Sequence, residues 1–416
     1  MGRRGGRGRA LRVAAPLSLF ALVGGALAAG YVGHLLFQRT RLSDVSFLLL
    51  VGLALGPLFH LVDTGPLAAA MPFLSPLALV IVLFEGGLEL AWADIKQHAP
   101  VALRMGLLVW ALTGSAAGLA AWLTLGLSPG LALLFGFAVA ATGMLVVVPL
   151  LAQLQAPSDA RVILTVETSL GDLLSAVVVT TAAAMIVAGG TLAQGAGLLA
   201  VRFAVDGSVG LLAGIAWARA LHWLKPARYA YAFTLAALLL TYAIGVRLGG
   251  SGYLAALVFG LFLGNARTLV KLGGIRDLAP LPHEQRGLGS ELIFLLRSVY
   301  FVFLGMSVPR SLLTPHYALA ALALVAALLV ARAIGVWATA RRSPSRGLLL
   351  AMMPRGLATA VIASLPAAMG VPGTAAFPAY VFLVIVGADL ATSAMLVPIT
   401  RRAARQAEAA APATAR

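Results

Sequence analysis

The segment VETSLGDLLSAVVV, residues 166–179, places two carboxylates inside an otherwise apolar stretch. A charge at the centre of a bilayer costs at least about 2.5–3.5 kcal/mol on insertion scales, so such groups are kept for a reason. Thr168 and Asp172 are four residues apart and share a helix face. Glu167 lies five residues before Asp172, about 140° away around a helix of about 3.6 residues per turn. The two acids therefore meet different surroundings. Burial favours the neutral form of any unpaired carboxylate, which then holds either a proton or a cation in its place. Competition of the two at one buried oxygen is the chemistry of ion exchange. The other role open to a buried acid is to pair with a base and hold helices together. Arg332 is available as partner for Glu167, so Glu167 reads as structural. Asp172 has no evident partner and reads as functional.

The remaining interior set is Asp389, Arg297, Arg332 and Arg355. Asp389, with Thr392 and Ser393 one turn on, is either a second polar site or a helix–helix hydrogen bond. Arg297 lies near enough to a span end to snorkel. Asp44, Asp63, Glu89, Asp94, Asp159, Asp277, Glu284 and Glu408 fall at loops or span ends and read as interface charge. Glu85, in LFEGGLEL, reads as packing or interface near the cytoplasmic end of its span. His60, His98, His222, His283 and His316 lie at span ends or in loops, and His34 is isolated, which makes poor metal ligands of them all. Nothing resembles a nucleophile–base set or a metal cluster, so an enzyme is not the expectation.

The elements that must position these groups follow from composition. Hydrophobic residues make up 61% of the chain and charged residues 11%, against about 25% charged in a soluble domain. Apolar runs of roughly 18 or more residues recur throughout, each long enough to cross the hydrocarbon core. In lipid only helices and closed barrels satisfy their backbone. These runs are too long and too uniformly apolar for barrel strands, which alternate over about 10 residues. The fold class is an all-α integral membrane bundle. The net charge of +16 does not imply nucleic acid, because the bases fall in short loops between apolar spans. The absence of cysteine excludes structural disulfides and thiolate metal sites.

Thirteen spans are expected, near 15–37, 46–63, 70–92, 100–126, 129–153, 160–188, 194–220, 228–247, 250–266, 288–308, 314–338, 346–369 and 373–399. They form one transmembrane domain, 15–402, between a basic N-terminal tail, 1–14, and a short cytoplasmic tail, 403–416. Ala26-Leu27-Ala28 mimics a signal-peptidase site, but the apolar stretch continues to Phe37, which reads as a retained first helix. Alternate loops carry the basic residues, among them Arg39, Lys96, Arg161, Arg219, Lys225, Arg276, Arg341 and Arg401, and these loops are cytoplasmic by the positive-inside rule. Thirteen spans then put the N-terminus outside, against its five arginines. Either the tail is translocated or the span number is off by one. Two spans are interrupted by Gly or Pro at comparable places in the two halves: FAVAATGMLVVVPLL, around Thr142-Gly143, and MMPRGLATAVIASLP, around Gly356. Paired broken helices mark the midplane binding site of inverted-repeat transporters.

These segments resemble the monovalent cation:proton antiporters, the NhaP-like sodium/proton exchangers in particular. RLSDVSFLLLVGLALGP, LALVIVLFEGGLEL, ATGMLVVVPLLAQLQAPSDARVILTVETSLGDLLSAVVV, SVYFVFLGMSV, LLVARAIGV and MMPRGLATAVIASLP match the family in order and spacing over nearly the whole chain. The resemblance implies an NhaA-like antiporter fold with two crossed discontinuous helices, a mobile core bundle and a dimerising panel. It implies a homodimer in a bacterial or archaeal inner membrane, working by alternating access without a cofactor. Asp172 falls on the ion-binding aspartate, which would hold sodium, or potassium or lithium in its place. Thr168 falls on an oxygen-donating position, and Thr142 on the threonine at the helix break. Glu167 and Arg332 fall on a buried structural pair, and Arg355 on the arginine of the Pro-Arg-Gly segment. Two positions depart from the family: Gly143 stands where it usually has Asp, and Gly171 where it has Asn or Asp. One titrating carboxylate at the site goes with electroneutral one-for-one exchange. Two other functions stay open: a channel or facilitator on the same scaffold, favoured by the two glycines, and an organic-anion symporter using Arg355 or Arg297.

Overall fold

Proline and glycine decide where the apolar runs end, bend or break. The computed structural model describes residues 5–40, 43–61, 65–90, 92–224, 229–271 and 283–410. Its helices are α1 (Gly5–Thr40), α2 (Asp44–Leu53), α3 (Gly65–Glu89), α4 (Trp92–Leu125), α5 (Pro129–Val139), α6 (Met144–Gln153), α7 (Ser158–Ala188) and α8 (Leu192–Leu224). They continue as α9 (Ala230–Arg247), α10 (Tyr253–Lys271), α11 (His283–Met306), α12 (Pro315–Ala340), α13 (Arg346–Ala351), α14 (Leu357–Ala368) and α15 (Phe377–Ala410). The protein is all-helical, and among the described residues eleven helices are long and apolar enough to cross a membrane. Two shorter apolar helices, Asp44–Leu58 and Leu357–Ala368, fall on the second and twelfth expected spans. α1 starts within the basic segment 1–14, and α15 runs through the first part of the expected tail. The side chains of the N-terminal arginines and of Lys96, Lys225, Arg276 and Arg286 lie outside the described residues.

Pro129 opens α5 at its first turn, where its missing N–H costs nothing. Gly189, in the left-handed region at φ +67°, closes α7. Two runs break in the middle. Residues 140–143 separate α5 from α6, and residues 352–356, which include Pro354, separate α13 from α14. Pro354 lacks an N–H and pushes Met353 away from helical angles. Both breaks leave backbone groups without helical partners in the middle of a membrane, so something must satisfy them.

The helices pack as two groups. In one, α4 lies against α5, α7 and α12, and α15 against α12 and α14. In the other, α3 lies along α10, α2 along α11, and α8 along α9 and α10. The α3–α10 contact is backbone on backbone: a Cβ on Gly87 would collide with Leu257 O, and one on Gly260 with Phe84 O. Small residues at such faces let membrane helices approach closely. The groups meet where α14 packs on α3 and α15 on α2.

Candidate functional site

The two helix breaks are bonded to each other. Gly143 N donates to Pro354 O at 3.0 Å. Arg355, on the second break, donates through Nη1 to Ala140 O (3.2 Å), Ala141 O (2.7 Å) and Thr142 Oγ1 (3.0 Å). Thr359 Oγ1 donates to Ala141 O at 2.9 Å. The guanidinium thus takes up carbonyls left open where α5 ends, and its positive charge suits a helix C-terminus. The Arg355 backbone N–H, orphaned by the break, donates to Asp389 Oδ1 on α15 at 3.0 Å. Ser46 Oγ on α2 donates to Asp389 Oδ2 at 3.2 Å. Of its two sequence readings, Asp389 takes the helix–helix hydrogen bond.

α7 passes this junction with its polar residues inward. Glu167 is held by Arg332 on α12, whose Nη1 reaches Oε1 at 2.7 Å and Nη2 reaches Oε2 at 3.1 Å. Arg332 Nε also donates to Leu349 O on α13 at 2.7 Å. This two-armed geometry is the strong form of the contact. Asp172 is 1% exposed, and its Oδ1 has no hydrogen-bond partner. The positive groups acting on it are the Arg355 guanidinium and the backbone N–H of Met144, the first residue of α6. Thr168, fully buried one turn away, returns its hydroxyl proton to Thr165 O at 3.1 Å, which leaves its oxygen lone pairs as acceptors. Thr142 stands differently, since its hydroxyl oxygen already accepts from Arg355.

The two glycines that depart from the family pattern differ in kind. A Cβ on Gly143 would sit 2.6 Å from Gly356 N and 2.8 Å from its Cα, so a side chain at residue 143 would have to push the second break aside from the position it takes here. A Cβ on Gly171 would find its nearest atoms, Thr142 N and Ala140 O, at 3.9 and 4.0 Å. A side chain fits there.

A cavity of about 510 Å³ reaches the junction from one side. Met144, Leu145, Val148 and Pro149 of α6 form one wall, and Tyr31, His34, Glu85, Glu89, Glu291 and Arg297 supply its polar lining. His34 is therefore not isolated: the bundle brings it to the same cavity as Glu85, Glu89 and Glu291, which are distant in sequence. Glu85 is buried, and Tyr231 OH donates to its Oε1 at 2.9 Å. Arg297 does not snorkel. It pairs with Asp44 at 2.6 Å, and Asp44 is a buried ion-pair partner rather than an interface charge.

The ionisable groups inside helices that the sequence reading passes over include Arg104, Arg202, Asp206 and Glu291. Asp206 is fully buried on α8 and accepts from Ser251 N (3.0 Å), Ser251 Oγ (2.6 Å) and Gly252 N (3.0 Å), capping the start of α10. Arg202 Nη1 donates to Thr181 Oγ1 on α7 at 2.9 Å. Asp206 is an acid in an apolar run like Asp172, and that signal marks it in the sequence.

A bundle of membrane-crossing helices, with two broken helices joined beside a buried carboxylate that keeps one oxygen without a partner, has the build of a secondary transporter. The family model described as "Sodium/hydrogen exchanger, transmembrane" matches residues 22–400, and the chain belongs to that family. It is 27% identical over 355 residues to "Probable Na(+)/H(+) antiporter 2" of Methanocaldococcus jannaschii, covering 81% of this chain and 82% of that protein. It is 23% identical over 327 residues to "Na(+)/H(+) antiporter 1" of the same organism, covering 76% and 74%. The structure of the sodium proton antiporter MjNhaP1 at pH 8 superposes with a TM-score of 0.73 at 20% identity, over 92% of this chain and 95% of that one. The protein is a multi-pass membrane antiporter of the monovalent cation:proton class.

Proposed function

We propose that Asp172 is the exchange site, binding in turn one monovalent cation, sodium first, and one proton. The observation that carries the reading is its buried Oδ1 without a partner, when Glu167 and Asp389 both have theirs. Thr168 supplies a neutral oxygen on the same face. Thr142 takes part through the backbone at the break rather than through a hydroxyl already engaged by Arg355. With glycine at 171 no second carboxylate precedes Asp172, and this supports exchange of one cation for one proton without net charge movement. Glu167 and Arg332 hold the fold around the site. The cavity beside α6 is the approach from the cytoplasm, supported by the basic loops at the same ends of α1, α3 and α11 in the positive-inside reading.

Alternating access, with the α4–α7 and α12–α15 group moving against the other, belongs to the same proposal. So do the homodimer and a bacterial or archaeal cell membrane. All three are supported by family membership. The test is reconstitution into proteoliposomes with an imposed pH gradient and sodium, potassium or lithium added separately. Cation-dependent dissipation is expected, at a rate that does not change when a membrane potential is clamped with valinomycin in cation-balanced buffers. Charge moved per turnover contradicts one-for-one exchange. Uncoupled cation flux without proton movement returns the channel reading.

A further inference from the structure

Arg355 spans the junction of the two breaks, its guanidinium on Ala140 O, Ala141 O and Thr142 Oγ1 and its backbone N–H on Asp389, and the acids around it decide how much of its charge Asp172 meets. The guanidinium lies within electrostatic reach of Arg332, Glu167, Asp172 and Asp389. Glu167 is already engaged in two hydrogen bonds by Arg332. Among the acids that act on Arg355, Asp172 and Asp389 are the two not committed to another guanidinium. Asp44, the other acid near Asp389, is itself neutralised by Arg297 at 2.6 Å. Asp389 is 2% exposed and held on one side by the Arg355 backbone N–H and on the other by the hydroxyls of Ser46 on α2 and of Ser43 just before it.

We infer that Asp389 is a positioning residue for exchange: it holds Arg355 by its backbone and supplies the counter-charge that leaves Asp172 free to take a cation. Without that charge the guanidinium has Asp172 as its uncommitted acid, and a cation arriving at Asp172 must displace a fixed positive group. The role lies outside the ion's own ligands, because Asp389 acts only through Arg355. The inference rests on the reading of Asp172 as the exchange site.

Asparagine tests it, because Asp389→Asn keeps an oxygen for Arg355 N–H and an amide that can donate to Ser46 Oγ. The charge is removed, and the Ser46 bond is kept with its direction reversed. Sodium-dependent dissipation of a pH gradient is measured at alkaline pH in proteoliposomes, with the variant checked for a monodisperse profile. Asp389→Asn is expected to raise KM for sodium by about tenfold or more while turnover at saturating sodium stays within about threefold, since a nearby charge shifts affinity on that scale. Asp389→Glu, which keeps the charge, is expected to hold KM within about threefold. An unchanged KM in Asp389→Asn assigns the residue to hydrogen bonding alone and overturns the inference. If Asp389→Asn does not fold, Asp389→Glu decides: a KM near that of the parent protein supports the inference, and a tenfold rise overturns it. Failure of the parent protein to exchange sodium for protons would instead overturn the reading on which the inference rests.

Discussion

Arg332 and Glu167 illustrate what a buried charge demands of its neighbours. Each is about as buried as the core leucines, at 2% exposure, and removing one leaves the other stranded. Arg332→Gln is expected to destabilise the protein by about 3–5 kcal/mol, because an uncompensated carboxylate remains in a medium that solvates it poorly. The double variant Arg332→Gln/Glu167→Gln should recover part of that loss. Thermal unfolding in detergent reads both, and a double variant as unstable as the sum of the singles would contradict the coupling. At this scale much was legible from the residues. Asp172 stood out because carboxylates are rare in apolar runs, and the need of Glu167 for a base led to Arg332. Asp44 with Arg297, and His34 with the carboxylates of the cavity, were not legible. Asp44 reaches Arg297, and His34 shares a cavity with Glu85, Glu89 and Glu291, only through the packing of α1, α2, α3 and α11, which no local spacing encodes.

The paired breaks are the element-scale feature on which the site depends. Each would be an expensive defect alone, with orphaned amides and carbonyls in the membrane. Together they satisfy one another through Gly143 N to Pro354 O, and through Arg355 and Thr359 to the carbonyls of Ala140 and Ala141. The sequence showed where the breaks fall, through Thr142-Gly143 and Met353-Pro354-Arg355-Gly356. It did not show how tightly residue 143 is approached, since the neighbour is the Gly356 backbone in the other half of the chain. Gly143→Ala is expected to lose about 1–3 kcal/mol, as overpacking usually does. Gly171→Ala should be neutral or stabilising, because alanine is favoured over glycine inside a helix by about 0.8–1 kcal/mol and the space is open. Equal melting temperatures for the two variants would mean that the breaks are not in the contact described.

For the whole molecule, the grouping of helices places the two breaks where one bundle faces the other, with an acid-lined cavity running to Met144 at the start of α6. Glu291 lies on that lining and is exposed, so its contribution to a cation is long-range attraction. Glu291→Gln is expected to raise KM for sodium by about two- to fivefold at low ionic strength, with turnover unchanged. The difference should fade in about 0.3 M choline chloride as screening shortens the reach of surface charge. A salt-independent effect would place Glu291 in direct contact with the ion instead. The spans themselves were legible from hydropathy, since a bilayer fixes helix length. The division into two groups was not, because most of each span's surface is apolar and its partners are chosen by glycine contacts and buried pairs.

The central claim is that one carboxylate does the exchange, and one comparison tests it most directly. Sodium-dependent dissipation of a pH gradient is measured in proteoliposomes containing the parent protein, Asp172→Asn or Asp172→Ala, at matched protein density. The account predicts exchange by the parent protein and none by either variant, with all three monodisperse. Exchange by Asp172→Asn or Asp172→Ala at the parent rate would contradict it and move the site elsewhere in the bundle.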